Sequence, residues 1–134
     1  MNTMAKKSRE KRIEKPLTAT ELEMMNVIWR IAPCSVHQVV EALRPQRELA
    51  YTSVSTIVRI LEQKGYVRSQ KEGRGHLYEP TVPKEAYQAS SLRRLVRNVF
   101  DGAPALLVQR LLDSEQLSAE EQERIRSLLR KAGR

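Results

Sequence analysis

At Gly65 the apolar residues of this chain change their spacing from helical to alternating. Ahead of it, Val54, Ile57, Val58 and Leu61 recur at i, i+3, i+4 and i+7, the stripe of one helix face. Behind it, "YVRSQK" (Tyr66–Lys71) and "HLYEP" (His76–Pro80) are short alternating runs, separated by the glycine-bearing "EGRG". A chain with this switch must place a helix, a left-handed residue that stops it and a β-hairpin with a basic tip in immediate succession.

The segment that leads into the switch, "AYTSVSTIVRILEQKGYV" (Ala50–Val67), is rich in hydroxyls and β-branched residues, which are poor helix formers and good strand formers. Laid out as a strand, it puts Ser53, Ser55, Ile57 and Arg59 on one face and Thr52, Val54, Thr56 and Val58 on the other, and neither face is apolar. Wound as a helix, it gives a clean core stripe, so a helix is predicted against propensity. Thr52, Thr56, Arg59 and Gln63 then lie opposite the core, with Ser53 and Ser55 on the flanks. Ordinary solvent-facing helices carry Glu and Lys at such positions.

Two helices precede it. Thr18 and Glu21 form a T-x-x-E capping box, flanked by Leu17 and Leu22 as a hydrophobic staple, and Leu22, Met25, Ile28 and Trp29 share one face up to Ala32-Pro33. Ser35 and Gln38 repeat the box with Cys34 and Val39 as its staple, and Val36, Val39, Val40 and Leu43 form a stripe closed by Pro45. Beyond Pro83, Leu92, Leu95, Val96, Val99 and Phe100 make another stripe, broken at Asp101-Gly102. Pro104 opens a helix with Leu107, Val108, Leu111 and Leu112, and Ser118 with Glu121 caps a last one with Ile125, Leu128 and Leu129. Three such helices alone would enclose a thin core, so their stripes are expected to form a dimer interface with a second copy.

The charge of +8 over 134 residues is uneven: residues 1–16 hold six Lys/Arg against two Glu. Such a balance suits a polyanionic partner, or solubility alone. Residues 1–16 read as a disordered basic arm. No run approaches the roughly 18 apolar residues of a membrane span, the start of the chain has no apolar signal core, and one cysteine forms no intrachain disulfide; together these point to the cytoplasm and to no membrane insertion. Cys34 and His37 have C-x-x-H spacing, but only His76 remains as a further His/Cys ligand, so Cys34 is expected to be a packed residue, and no metal or other cofactor is expected. No nucleophile elbow, phosphate loop or paired-carboxylate motif appears, which argues against an enzyme.

Three helices followed by a basic two-stranded hairpin is the layout of a winged helix-turn-helix. The expected fold is therefore mainly α with a small β-wing: a winged helix-turn-helix DNA-binding domain over residues 17–82 and a C-terminal three-helix dimerisation region over 83–134. A major groove about 12 Å wide admits a helix whose leading face is short. Thr52, Ser53, Ser55 and Thr56 meet that need, with Arg59 and Gln63 as longer donors, while Arg68, Lys71 and Arg74 would reach phosphates from the wing. A protein–protein adaptor built on the same fold is the rival; it should show apolar anchors on the third helix, where only Ile60 qualifies.

"LTATELEMMNVIWR", "YTSVSTIVRILEQKGYV", the "GRGHLYEP" wing and the "VFDG…LLV" linker resemble the penicillinase-repressor family over about residues 17–131. The resemblance implies a homodimeric repressor that occludes promoter DNA at a palindromic operator, with Thr52, Ser53, Ser55, Thr56 and Arg59 facing double-stranded DNA and the C-terminal helices interlocking two chains. In the antibiotic-responsive branch, release comes by proteolysis at an Asn-Phe bond, which makes a membrane sensor metalloprotease a partner to consider; the aligned pair here is Arg110-Leu111. The copper-responsive branch has a C-terminal cysteine cluster, and this chain ends in "RSLLRKAGR" without one.

Overall fold

The computed structural model describes residues 15–114 and 117–133, so all but the last two residues of the expected basic arm lie outside the described residues. In order, the elements are α1 (Ala19–Ile31), α2 (Val36–Leu43), α3 (Tyr51–Gln63), β1 (Val67–Glu72), β2 (Gly75–Pro80), α4 (Lys84–Val99), α5 (Pro104–Asp113) and α6 (Ala119–Ala132). Among the described residues the fold is mainly α with one antiparallel two-stranded sheet. It divides into two compact units between Ser91 and Leu92.

In the unit up to Ser91, both capping boxes form as the sequence requires. The Thr18 hydroxyl accepts from the Glu21 N–H at 3.2 Å, and the Glu21 carboxylate accepts from the Thr18 N–H at 2.9 Å. Ser35 and Gln38 exchange the same pair of bonds at the head of α2. The staple residues Cys34 and Val39 are both buried. The buried rows of α1 are wider than the stripe expected from spacing: Met24, Met25, Val27 and Ile28 are buried, whereas Leu22 and Trp29 are only partly covered. A helix packed on α2, α3 and the sheet has more than one covered side, which a single-stripe template does not capture.

Val54, Val58 and Leu61 of α3 are fully buried in this core, with Ile57 packed against it. Gly65 ends the helix at φ 84°. The Tyr66 N–H donates to the Leu61 carbonyl (2.9 Å) and the Gly65 N–H to that of Glu62 (3.0 Å), the two bonds of a Schellman cap. Tyr66 is thereby turned into the core, where its ring meets Tyr87 at 5.8 Å, and Tyr87 meets Trp29 at 5.9 Å. Tyr87 and Ser90 are the buried residues of α4, and both precede Leu92, so the first unit includes the start of that helix.

The second unit contains the rest of α4 with α5 and α6. Asp101 (φ 54°) and Gly102 (φ 75°) make the expected break. Pro104 starts α5, and the Ser118 hydroxyl accepts from the Glu121 N–H at 3.1 Å at the head of α6. No residue of α5 or α6 is buried.

Candidate nucleic-acid interface

The exposed face of α3 is the one its sequence foretells. Thr52, Ser53, Thr56, Arg59 and Gln63 are exposed, and Ser55 is half-buried. The Thr56 hydroxyl donates to the Thr52 carbonyl at 2.9 Å. Its proton is thus spent within the helix, and what Thr56 offers outward is a methyl group and acceptor lone pairs. Thr52, Arg59 and Gln63 have no such commitment among the described residues. The apolar anchor on this helix is Tyr51, 45% exposed, and not Ile60, which is half-buried.

The wing is shorter at its tip than "EGRG" suggests. Glu72 pairs with Gly75, leaving Gly73 and Arg74 as a two-residue turn with Gly73 at φ 60°. A left-handed first residue suits the right-handed twist of a hairpin, and it puts Arg74 at the apex. Strand alternation then separates the three wing cations. Arg68 stands opposite Glu79 and is bound to it at 2.6 Å. Ser69, Lys71, His76 and Tyr78 occupy the other face, with Lys71 directly across from His76.

That second face closes a groove of about 430 Å³ between α3, the head of α2 and the wing. Tyr51, Ser55, Arg59 and Glu62 line it from α3, Ser35 and His37 from the head of α2, and Ser69, Arg74, His76 and Tyr78 from the hairpin. Its walls are tied together: the Ser69 hydroxyl donates to Glu62 at 2.7 Å, Cys34 and Tyr78 exchange backbone bonds at 3.0 and 2.7 Å, and the His37 and Tyr51 rings lie 4.4 Å apart. Burial, then the nearby Glu62 charge, push the Tyr78 phenol above its usual range. Burial also raises the Cys34 thiol, which keeps it a protonated, packed side chain. His37, Tyr51, Ser69, His76 and Tyr78 were not legible as a group, because they come from elements far apart in the chain.

At the far end of α3, Lys64 reaches back to the capping carboxylate of Glu21 at 2.6 Å. Burial alone would raise that carboxyl; the Lys64 ammonium and the Thr18 N–H outweigh it and hold it below its usual range. The helix is thus fastened to α1 by an ion pair at one end and carries its hydroxyls at the other.

Residues 17–131 match the penicillinase repressor family. The chain belongs to that family. It is 25% identical over 115 residues to the methicillin resistance regulatory protein MecI of Mammaliicoccus sciuri, covering 86% of this chain and 94% of that one. The penicillinase repressor of Bacillus licheniformis is 27% identical over 105 residues, 78% of this chain and 82% of that one. Among solved structures, the monomeric form of the Bacillus licheniformis repressor BlaI in complex with the blaP half-operator aligns at 28% identity and a TM-score of 0.47, covering 54% of this chain and 88% of that one.

Penicillinase repressors are transcriptional repressors rather than enzymes, and the two-stranded wing after three helices is the winged helix-turn-helix. Among the described residues, no group of three or more His, Cys, Asp or Glu is placed to hold a metal ion, and no helix is long and apolar enough to cross a membrane. In the second unit, Leu92, Leu95, Val99, Val108, Leu111, Leu112, Leu128 and Leu129 are exposed, with Leu129 at 66%, while Val96, Phe100, Leu107 and Ile125 are half-buried. Arg110 and Leu111 lie inside α5, where Arg110 pairs with Asp113 at 3.6 Å.

Proposed function

We propose that this chain is a homodimeric, sequence-specific repressor that occludes promoter DNA at a palindromic operator. The observation that carries this is the outward face of α3, where Thr52, Ser53 and Thr56 give way to Arg59 and Gln63 beside a basic hairpin. Short side chains let a helix seat in the major groove, and the longer donors then reach base edges or phosphates. Each protomer would place α3 in one major groove, the half-sites being related by the dimer axis. Arg74 and Lys71 would contact phosphates from the wing. Arg68, already matched by Glu79, would contribute less. The exposed leucines of α4, α5 and α6 would be covered by a second copy. Release would follow from a signal that loosens this second unit. Proteolysis between Arg110 and Leu111, by a membrane sensor metalloprotease or another protease, is one form of it and requires α5 to unwind first, since a peptide bond in a helix is not extended for cleavage.

The test is a salt titration of binding to a duplex from the gene's own upstream region and to a random duplex of equal length. Specific binding predicts a gap that persists as salt rises, because counterion release acts on both duplexes alike. Equal affinities throughout would sink sequence-specific repression. Arg59→Ala should cost about 1–3 kcal/mol on the specific duplex; an adaptor that docks protein on α3 would show no DNA effect.

A further inference from the structure

The groove between α3 and the wing has a feature the function above does not use. The chain has two histidines in all, and both His37 and His76 line it. They come from different elements, the head of α2 and strand β2, and they share the groove with Arg59 and Arg74, neither of which pairs with a carboxylate among the described residues.

We propose that this groove seats the phosphodiester backbone of one DNA strand, and that His37 and His76 are proton-dependent contacts to it, so that the protein takes up protons as it binds. The proposal rests on the winged-helix reading of DNA binding given above. A helix in the major groove and a hairpin in the adjacent minor groove straddle a single sugar–phosphate strand, because that strand is what divides the two grooves. The strand must cross the surface between them, and here that surface is a groove with four nitrogen-bearing side chains that are or become cationic.

The surroundings set the sign. Facing the histidines are Tyr51, Ser55, Arg59 and Glu62 from α3, Ser35 from the head of α2, Ser69 from β1, and Arg74 and Tyr78 from the hairpin; Lys71 stands across the strands from His76. Arg59, Arg74 and Lys71 bring positive charge to the groove; Glu62, which accepts from Ser69, is the carboxylate of its lining, and Glu41 stands four residues after His37 on α2, paired with Arg44. A phosphate entering the groove adds negative charge beside both rings, which stabilises imidazolium. Binding therefore favours the protonated form, and by linkage acid favours binding. The His37 ring is held against Tyr51 at 4.4 Å, so its position is fixed before DNA arrives.

The experiment is fluorescence anisotropy on the full chain with the own-upstream and random duplexes, at constant ionic strength, from pH 8 down to about pH 6, the window in which imidazole as a class changes charge. The wild type should tighten by about tenfold on both duplexes, the effect of roughly one proton taken up over part of that range. A His37→Gln, His76→Gln double variant should lose most of that gain. At pH 6 its salt dependence should be shallower by about one unit in log–log slope, as for the loss of one phosphate contact. The His37→Arg, His76→Arg pair should bind at pH 8 as tightly as the wild type does at pH 6, with no further gain. Both histidines are exposed, so the thermal melts of all three proteins should coincide. A wild type that is flat with pH, or a Gln variant that tightens as much as the wild type, overturns the proposal. Loss of the gap between duplexes with the pH effect intact overturns sequence-specific repression and leaves the phosphate seat standing; no binding to either duplex overturns both.

Discussion

The two compact units have helices of the same apparent quality in sequence and opposite fates in burial. Up to Ser91, apolar stripes close into a core whose Met24, Met25, Ile28, Val54 and Leu61 have no exposed surface. From Leu92 on, stripes just as regular leave Val99 61% and Leu128 57% exposed. Periodicity states that a face will be covered without stating by what. The first unit answers with its own chain, and under the proposed function a second copy would cover the second. Covering a leucine contributes about 1.5–3 kcal/mol, so a second copy seated on several of them would have a large apolar term to set against the cost of association.

The sharpest way to break this contrast is to charge the exposed stripes. Leu95→Asp with Leu128→Asp should weaken self-association by at least a thousandfold, about 4 kcal/mol, and turn the protein into a monomer in sedimentation experiments. The first unit should keep its melting behaviour. A double variant that remains a dimer would show that these faces are not the interface. Next in size, Ile28→Ala should destabilise the first unit by about 2–5 kcal/mol through the lost burial and the cavity left behind, read by chemical denaturation, with association unchanged in the folded protein.

How much of this was legible follows from the range of the interactions. Both capping boxes and the left-handed stop at Gly65 were readable because each is decided within four or five residues, and the helical winding of the "YTSVSTIV" run because its stripe repeats over two turns of one element. The aromatic contacts of Trp29, Tyr66 and Tyr87 were not, nor the Cys34–Tyr78 bridge, because they join residues far apart in the chain. The same holds for the groove. Thr52, Arg59 and Gln63 could be placed on one face by helical geometry alone, whereas His37 and His76 come to line one groove only once the turn before α2 has paired with β2. Arg68 was legible as a wing cation but not as the partner of Glu79, which depends on strand register.

Within the first unit the contrast recurs on a smaller scale, between a helix start fastened twice over and one left bare. Glu21 caps α1 and also binds Lys64, whereas Ala50 at the head of α3 supplies no side-chain cap. Glu21→Gln should cost about 1.5 kcal/mol at neutral pH, as for loss of a hydrogen bond to a charged group. The folded-state pKa of Glu21 lies below its ordinary 4.5. The contribution is therefore complete above that value and fades as pH falls through the lower, folded one. Denaturation curves of wild type and variant should converge in acid; a gap of equal size at acid and neutral pH would mean that the charge is not its source.

The smallest effect separates the two faces of α3. Its buried side holds the helix through Val54, Val58 and Leu61, while the first turns of its outward side carry Thr52, Ser53 and Thr56, which disfavour helix. Thr56→Ala replaces an exposed threonine whose hydroxyl bonds back to the Thr52 carbonyl. On propensity alone the variant should be more stable by a few tenths of a kcal/mol, since alanine loses no side-chain entropy in a helix. If the outward face serves a DNA groove, the same substitution should weaken binding to the specific duplex while it stabilises the fold. Anisotropy and thermal melting on one preparation would then move in opposite directions. Movement in the same direction, or no loss of binding, would mean that the hydroxyls of α3 owe their place to something other than DNA.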